Sequence, residues 1–463
     1  MTPSARIEAA IALLAAIQAA PRKPADAVAN QFFRDRRYIG SGDRRAVSAR
    51  VWQVLRSQRR LGWWLGRAKP PADPTTHSPG IATPRMLVAA ALMLEGWSEV
   101  GLIQAFSGGQ FAPETLNPAE RSVVTGLVGR TLDHPAMPAA VRLELPDWLL
   151  DPLTARFGVS LAAEMAALSE PAPLDLRVNL LKTTRDQARA ALAAEGIEAA
   201  DTPFSPWGLR VPTRQPVTAG PAFQTGLVEI QDEGSQLIAA LVDARPGMRV
   251  VDWCAGAGGK TLALAMGMEN HGHIVAADVS APRLEGAVRR LRRAGVHNVE
   301  RHLAVPGDKW AKRRAGSFDR VLVDAPCTGT GTWRRNPDAR LRLEPATLAE
   351  LAAKQTRILD QAAGLVRPGG RLVYATCSLL PAENEDQITA FLARHADFTL
   401  LPLARTWPFA AEAPMGGDFL ALTPARHGTD GFFAAVLERA PAAKAPPKAR
   451  PAADPQPEAP AAA

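Results

Sequence analysis

Apolar residues in the first part of the chain recur at the interval of a helix. Between residues 1 and 144 they stand three and four positions apart, which places them on one helical face. Examples are Ile7, Ile11, Leu14 and Ile17, and later Val47, Val51, Val54 and Leu55. Proline-rich segments at 69–79 and 134–138 interrupt the pattern. We predict a helical bundle for 1–144.

The pattern changes between residues 145 and 225. Residues 175–180 alternate apolar and polar side chains, as a half-buried strand does. A helix is predicted to begin after Thr184, a good N-cap, and to end before Gly196. With a further short strand at 209–211, we predict a small α+β module for 145–225.

Short apolar runs alternate with helical patterns from residue 226 to 440. The predicted strands are 249–252, 273–278, 318–324 and 370–375, with a helix at 283–294. This order is typical of an α/β fold with a parallel, doubly wound sheet. Ligands of such sheets bind at the carboxyl ends of the strands, so the residues that follow each strand are the candidates for chemistry.

Composition narrows the class of protein. With 463 residues the chain is expected to hold two to four domains. The Ala- and Pro-rich segment 441–463 is predicted to be disordered. No apolar run is long enough to span a membrane, and Glu8 fits a secretory signal poorly, so a cytoplasmic location is expected.

Three cysteines, an odd and sparse number, indicate a reducing compartment rather than a disulfide framework. Their spacing fits no zinc site, and no metal is expected. The formal net charge of +8 favours a polyanionic partner. A genome rich in G and C, which encodes Arg in place of Lys, is the alternative explanation of that charge.

A glycine-rich turn follows the first strand of the predicted sheet. It consists of Cys254, Ala255, Gly256, Ala257, Gly258, Gly259 and Lys260. Glycines let the backbone approach a ligand closely. A phosphate-binding P-loop is excluded, because that motif requires glycine five positions before Gly259, where Cys254 stands. A plain strand–helix turn is the alternative to a cofactor loop.

Acids follow the next two segments. Asp278 ends a strand about twenty residues after the turn, where an acid hydrogen-bonds the hydroxyls of a ribose. Asp308 is placed to accept a hydrogen bond from an adenine amino group, and a surface turn is its alternative. Arg283, shortly after Asp278, is added to the predicted cofactor contacts. These residues suit a dinucleotide or S-adenosylmethionine.

The other two cysteines follow strands as well. Cys327 comes after the strand 318–324 and Cys377 after 370–375, beside the predicted crevice. An inert cysteine is usually a small buried hydrophobe, and this placement is unusual for one. An activated thiolate that adds to C6 of a pyrimidine makes C5 nucleophilic enough to take a methyl group. A carboxylic acid near N3, for which Asp324 is placed, would hydrogen-bond the base.

Four motifs together resemble the RsmB/Nop/Sun family of RNA 5-methylcytosine methyltransferases. They are the segments 231–236, 254–261, 324–331 and 375–378, the last followed by Glu383, Asn384 and Glu385. The resemblance implies a class I, Rossmann-like methyltransferase fold, S-adenosylmethionine as the cofactor and RNA as the partner. By resemblance, Cys377 is the nucleophile, Cys327 assists product release, and Lys260 organises the Asp324 loop.

The resemblance also carries over the cofactor contacts 254–260, Asp278, Asp308 and Asp324. One departure concerns the turn, which in the family is most often Ala-Ala-Pro-Gly-Gly-Lys. Gly256 and Ala257 replace its second Ala and its Pro, so the cofactor affinity of this chain is in question.

The helical part resembles the NusB-like RNA-binding domain of bacterial RsmB proteins, and 145–225 resembles the family's small RNA-recognition module. RNA contacts are expected at Arg177, Asn179, Arg334 and Arg335. The last two adjoin Trp333, and basic residues beside an aromatic ring suit a phosphate backbone and a stacked base. By family analogy the RNA is small-subunit rRNA, and a monomer is expected.

Four alternatives remain open. A DNA cytosine-5 methyltransferase would use Cys327 as its nucleophile and leave Cys377 without a role. A tRNA cytosine-5 methyltransferase would share the chemistry. A non-catalytic RNA-binding assembly protein with the same fold would not need Lys260, Asp324 and both cysteines. A dinucleotide-dependent enzyme would need neither cysteine.

Overall fold

The computed structural model describes residues 1–67, 82–212, 215–305 and 307–442. The proline-rich segment 69–79 lies outside these residues, and so does almost all of the segment 441–463 that is predicted to be disordered.

Residues 1–144 fold into helices, as the spacing of their apolar residues predicts. The helices are α1 (Pro3–Gln18), α2 (Ala25–Asp35), α3 (Ser41–Arg56), α4 (Gln58–Arg67), α5 (Pro84–Leu94), α6 (Glu99–Ala105), α7 (Pro118–Thr125) and α8 (Ala139–Arg142). Their apolar faces share one core, in which Leu13, Val51 and Leu87 are buried. Thr2 and Thr83 cap α1 and α5 with their hydroxyl groups, because each accepts a hydrogen bond from an unpaired backbone N–H. The resemblance to a NusB-like domain stays a prediction.

The next part of the chain contains a small antiparallel sheet. Its elements are α9 (Leu150–Phe157), α10 (Leu161–Ser169), β1 (Leu174–Val178), α11 (Arg185–Ala194), β2 (Ala200–Asp201), β3 (Gly208–Val211), α12 (Pro221–Gln224) and β4 (Val228–Ile230). The strand order is β2-β3-β1-β4. Thr184 caps α11 in a capping box with Gln187, and Gly196, with a φ of 75°, follows the helix. The predicted helix and both predicted strands are therefore present.

Residues 233–439 form the larger α/β part. Its elements are α13 (Glu233–Leu241), β5 (Arg249–Trp253), α14 (Gly259–Gly267), β6 (His273–Asp278), α15 (Ala281–Ala294), β7 (Val299–Leu303), α16 (Trp310–Arg313), β8 (Phe318–Asp324), α17 (Pro337–Arg342), α18 (Pro345–Ala363), β9 (Val366–Thr376), α19 (Glu385–Arg394), β10 (Phe398–Leu401), α20 (Leu403–Thr406), β11 (Leu420–Leu422), α21 (Pro424–His427) and β12 (Phe432–Arg439).

The large sheet confirms the predicted doubly wound arrangement. Its strand order is β10-β12-β9-β8-β5-β6-β7, and β11 pairs with β12. The pairs from β9 to β7 are parallel, whereas β12 pairs antiparallel with β9. From β5 the chain continues to β6 and β7 on one side, and from β8 it continues to β9 on the other. The strand order therefore reverses between β5 and β8, and a ligand crevice is expected there.

The helical part contacts the α/β part through a buried and a partly buried hydrogen bond. The backbone N–H of Ala25, at the start of α2, donates to Oδ2 of Asp338 over 3.0 Å. The guanidinium group of Arg56 donates to the backbone carbonyl of Arg334 over 3.1 Å. In the part of the chain that the structure describes, no helix combines the length and apolar character needed to cross a membrane.

Candidate active site

The glycine-rich turn between β5 and α14 is strongly bent. Cys254, Gly256 and Gly258 have φ values of 73°, 58° and 78°, in the left-handed region. The backbone N–H groups of Cys254 and Ala255 both donate to the carbonyl of Ala277, over 2.9 Å each. A Cβ added at Gly256 would meet no atom within 4 Å. This turn therefore presents open backbone to the crevice, as a close approach to a ligand requires.

Asp278 lies at the carboxyl end of β6 beside this turn. Its Oδ2 accepts a hydrogen bond from the N–H of Gly256, and its Oδ1 accepts one from the N–H of Ser280, each over 2.8 Å. Each carboxylate oxygen can accept a further hydrogen bond, which suits two adjacent hydroxyl groups. Arg283 is exposed in the first turn of α15, at the same end of the sheet.

Asp308 follows β7 and is held by two groups. Its Oδ1 accepts from the N–H of Trp310 over 2.6 Å, and its Oδ2 lies 2.8 Å from Nε2 of His302. The His302 ring stacks on Trp310 with centroids 4.5 Å apart. The carboxylate is thus fixed at the edge of the crevice, next to an aromatic layer.

Two arginines donate hydrogen bonds to backbone carbonyl groups of the glycine-rich turn. Arg177, on β1, donates to the carbonyl of Gly259 over 2.8 Å and also bonds to Gln231. Arg290, on α15, donates to the carbonyl of Ala257 over 2.8 Å. Arg177 is 3% exposed, and burial lowers its pKa to about 10. The expectation that Arg177 contacts RNA is therefore wrong, because its guanidinium group faces the turn and not the solvent.

Lys260 and Asp324 join the turn after β5 to the loop after β8. Nζ of Lys260 lies 2.7 Å from Oδ2 of Asp324. Burial lowers the pKa of Lys260, but the charge and hydrogen bond of Asp324 outweigh burial, so the pKa lies above its ordinary value. The charge of Cys377 contributes to the same rise in the pKa of Lys260. Lys260 is therefore a permanent cation paired with Asp324.

Cys327 and Cys377 are neighbours in the structure. Their sulfur atoms are 3.4 Å apart, within hydrogen-bonding distance for two thiols. The two loops that carry them are connected by the N–H of Gly331, which donates to the carbonyl of Cys377 over 2.9 Å. Burial raises the pKa of Cys254, the third cysteine, to about 12 and favours its neutral form.

A buried polar network lies behind the two cysteines. Glu383 accepts hydrogen bonds from the N–H of Thr328 over 2.9 Å, from the Thr328 hydroxyl, and from Nε2 of Gln355 over 3.0 Å. Asn384 donates to the carbonyl of Ser378 over 2.9 Å. The sequence assigned Glu383 and Asn384 no chemical role: the partner of Glu383 in the Cys327 loop, Thr328, is 55 residues away, and Asn384 binds the Cys377 loop through the backbone of Ser378. The only available signal was their place after the Thr-Cys-Ser motif.

Three further residues that we expect at an RNA surface bind other groups of the protein through their polar side chains. The amide nitrogen of Asn179 donates to the carbonyls of Gly226 and Ala294, each over 2.9 Å, and the side chain is buried. Arg334 is 5% exposed and bonds to Asp232 and Asp430. For Asn179 and Arg334 the expectation is wrong, because their polar groups are buried within the protein.

Arg335 pairs with the same two acids, yet a third of its side chain remains exposed. Its contact with RNA stays a prediction. Trp333 is fully buried and packs among leucines, so it cannot stack on a base. Arg289 and Arg292 on α15 are exposed, whereas Arg290 and Arg293 pair with Glu229. In this region the exposed positive charge is smaller than the sequence indicates.

Among the described residues, no group of three or more His, Cys, Asp and Glu side chains is arranged to hold a metal ion. The site therefore consists of a glycine-rich turn, two acids at neighbouring strand ends, a Lys–carboxylate pair and two adjacent thiols.

Comparison with known proteins identifies similar sequences and structures. Residues 239–438 match the profile of the family described as 16S rRNA methyltransferase RsmB/F, and residues 145–218 match its ferredoxin-like domain. The chain is 34% identical to ribosomal RNA small subunit methyltransferase B of Xanthomonas campestris pv. campestris, over 86% of this chain and 89% of that protein.

Two solved structures are also similar. One is the crystal structure of PH0851, with a TM-score of 0.75 and 26% identity over 95% of this chain and 99% of that chain. Another is a methyltransferase homolog protein from Pyrococcus horikoshii, with a TM-score of 0.56 and 31% identity over 65% of this chain and 97% of that chain.

Proposed function

Because the chain belongs to the RsmB/F family of rRNA methyltransferases, we propose that it methylates C5 of a cytosine in small-subunit rRNA through a covalent bond from Cys377 to C6. It has the Rossmann-like methyltransferase fold, and it is an RNA methyltransferase that uses S-adenosylmethionine. The choice of atom and the covalent step are the proposal.

The crevice suits this cofactor. S-adenosylmethionine, when bound, supplies a methyl group on a positively charged sulfur. Asp278 has free lone pairs for the ribose hydroxyls, and the backbone at Gly256 is open on its ligand side. Asp308 stands one strand further along the sheet, beside the stacked rings of His302 and Trp310. We assign these residues to cofactor binding.

The observation that carries the proposal for C5 is the pair of thiols at 3.4 Å. A cytosine C5 carbon does not attack a sulfonium methyl group without prior activation. Addition of a thiolate to C6 supplies it: the S–C6 bond forms, and the electron pair of the C5–C6 double bond makes C5 nucleophilic. A nitrogen or oxygen target in RNA would need neither cysteine.

Cys377 is assigned as the nucleophile because the charges around the two thiols differ. We assign the Lys260 ammonium group, which pairs with Asp324 at this site, to stabilise the thiolate of Cys377 during attack. The hydrogen bond with Cys377, burial and the charges of Cys377 and Glu383 hold the pKa of Cys327 well above its ordinary value, so that Cys327 keeps its proton. We assign Asp324, which Lys260 contacts over 2.7 Å, to the N3 edge of the base, where a carboxylic acid donates a hydrogen bond to N3 and offsets the negative charge that addition to C6 puts on the ring.

After the methyl group has moved, two bonds must break. The hydrogen on C5 leaves as a proton to solvent, and the S–C6 bond breaks with its electron pair on the sulfur of Cys377. The Cys327 thiol, 3.4 Å away, donates a hydrogen bond to that sulfur and stabilises the departing thiolate. The methylated base is then free to leave.

Two variants test the assignment. Cys377→Ala is expected to abolish methyl transfer, and Cys327→Ala is expected to trap a covalent protein–RNA adduct that resists denaturation. The measurements are incorporation of labelled methyl groups into small-subunit rRNA and gel mobility in denaturant. Transfer by Cys377→Ala together with loss in Cys327→Ala would overturn the assignment and favour the chemistry of DNA methyltransferases.

The substrate is tested separately. The method is bisulfite sequencing of RNA from cells with and without the gene. In cells without the gene, a 5-methylcytosine signal in small-subunit rRNA is expected to be lost. A signal lost from tRNA instead would contradict the proposed substrate and leave the chemistry intact. We expect the protein to act as a cytoplasmic monomer, and its mass measured in solution by light scattering tests the oligomeric state.

A further inference from the structure

Glu383 is a buried carboxylate in the turn between β9 and α19, and its side chain is completely inaccessible to solvent. Its hydrogen-bond donors are the backbone N–H and the hydroxyl group of Thr328 and the side-chain amide of Gln355. All of these donors are neutral. Within the described chain, it forms no ion pair with a Lys, Arg or His side chain. Burial of a carboxylate without a cationic partner costs folding free energy, which favours a functional role for Glu383.

We propose that Glu383 is a positioning residue that gives the two cysteines their different roles, because it holds the Cys327 loop against Cys377 and places a negative charge beside Cys327. The inference rests on the proposed function, since it explains why one thiol attacks and the other assists release.

The contacts show how the loop is held. Thr328 follows Cys327 directly, and both its N–H and its hydroxyl donate to Glu383. Gln355, on α18, donates both to Glu383 and to the carbonyl of Pro326 over 2.9 Å. Pro326, before Cys327, is therefore bound by Gln355, and Thr328, after Cys327, is bound by Glu383. This fixes the sulfur of Cys327 next to the sulfur of Cys377.

The charges show how the roles diverge. The hydrogen bond with Cys377, burial, and the charges of Cys377 and Glu383 all raise the pKa of Cys327 well above its ordinary value. Tyr374 on β9 is a further titratable group near Cys327, and its hydroxyl donates to the backbone carbonyl of Glu383 over 2.6 Å. The charge of Cys377, in turn, contributes to raising the pKa of Lys260. The negative charge of Glu383 thus acts on Cys327, and we assign the positive charge of Lys260 to Cys377.

The test is the pH dependence of thiol alkylation in the full-length protein, without RNA or cofactor. Initial rates of iodoacetamide labelling at each cysteine are read by mass spectrometry across the pH range. Glu383→Gln removes the charge and keeps an oxygen and a hydrogen-bonding nitrogen. We expect the pH of half-maximal labelling of Cys327 to fall by about one unit or more, a shift of the size that one nearby charge causes.

Two variants serve as controls. Glu385→Gln removes a neighbouring carboxylate that pairs with Arg156 of α9, and it is expected to leave the Cys327 profile unchanged. Glu383→Asp keeps the charge, and Cys327 is expected to stay protected in it. Equal shifts in Glu383→Gln and Glu383→Asp, or no shift in either, would overturn the proposal.

The wild-type protein gives an independent result. Cys377 is expected to be labelled at lower pH than Cys327, and Cys254 is expected to stay unreactive as long as the fold is intact. Labelling of Cys327 before Cys377 overturns the proposal even if no variant of Glu383 folds.

A turnover experiment connects the inference to catalysis. In a single turnover, Glu383→Gln is expected to bind RNA normally and to retain a covalent adduct longer than wild type, with Cys327→Ala as the upper limit. If Cys327→Ala forms no adduct, the proposed function fails, whereas the alkylation profiles still decide the role of Glu383. Adduct lifetimes equal to wild type would contradict the inference.

Discussion

At the scale of single residues, the charge state of the site is set by burial and by a few neighbours. Asp252, at the end of β5, is fully buried, and it accepts a hydrogen bond from the Thr261 hydroxyl over 2.6 Å. Burial, together with the charges of Asp324 and Asp278, raises its pKa to about 6. An acid in an unfolded chain titrates near 3.9, so folding favours the protonated form of Asp252.

This shift predicts how stability depends on pH. Between about pH 4 and pH 6 the folded state holds a proton that the unfolded state releases, so stability falls as the pH rises through this window. Asp252→Asn keeps the acceptor for Thr261 and lacks the titration. The variant is expected to be more stable than wild type at pH 8, by at most about 3 kcal/mol, and equal to it near pH 4. Urea unfolding at both pH values measures this, and an equal difference at both would contradict it.

The two active-site sulfurs also predict an oxidation product. A disulfide needs an S–S distance of about 2 Å, and the atoms are already 3.4 Å apart. Treatment with hydrogen peroxide is expected to join Cys327 to Cys377, with two thiol hydrogens lost and the peroxide reduced to water. Activity is expected to fall and to return with dithiothreitol.

Peptide mapping by mass spectrometry checks this product. Cys254 serves as the internal control, because it is expected to remain a free thiol. A disulfide that contains Cys254, or peroxide inactivation that dithiothreitol does not reverse, would argue against the geometry.

At the scale of elements, the conformation of the glycine-rich turn depends on hydrogen bonds from two other elements, β1 and α15. The replacement of the family's Ala and Pro by Gly256 and Ala257 removes a rigid residue from the turn. Arg177 from β1 and Arg290 from α15 each bind a carbonyl of that turn. These contacts fix the backbone of the turn from two other elements, one of which belongs to the small sheet.

Loss of these contacts is expected to weaken cofactor binding. Arg177→Met and Arg290→Met keep most of the side-chain volume and remove the donors. We expect KM for S-adenosylmethionine to rise about tenfold in each, the equivalent of roughly 1.4 kcal/mol for a charged hydrogen bond, with a smaller change in kcat. Arg289→Met, at an exposed position on the same helix, is the matched control. A normal KM for the cofactor in both variants would contradict this role.

At the scale of the whole molecule, the helical part is joined to the segment that follows the Cys327 loop. Asp338 is 5% exposed, and it accepts hydrogen bonds from the N-terminal N–H of α2 and from Arg342. Because an unpaired donor at a buried helix start is costly, this acid stabilises the docking of the two parts.

Asp338→Ala is therefore expected to loosen the helical part at a cost of about 1–3 kcal/mol. Hydrogen exchange in α2 is expected to accelerate, whereas binding of S-adenosylmethionine is expected to be unchanged. Asp147→Ala is the control, since that acid pairs with Arg59 with 80% of its side chain exposed, and exposed pairs contribute little. Unchanged exchange in α2 would show that the docking does not depend on Asp338.

The sequence by itself predicted the helical part, the small sheet and the parallel order of the large sheet, because apolar spacing follows the period of each element. It also placed Lys260, Asp278, Asp324, Cys327 and Cys377 at strand ends, where a doubly wound sheet brings its ligands. It did not predict that Arg177, Asn179 and Arg334 are buried. Charge and position along the chain do not say which side of a strand or loop faces another part of the protein.

Only the tertiary structure decided which groups meet. The 3.4 Å contact of Cys327 with Cys377 and the hydrogen bonds of Glu383 to Thr328 join loops that are fifty or more residues apart. Such contacts depend on the docking of α18 and α19 against the sheet, which no local pattern encodes. The sequence therefore determined which chemical groups are present and at which strand ends, and the fold determined their distances, their burial and their charge states.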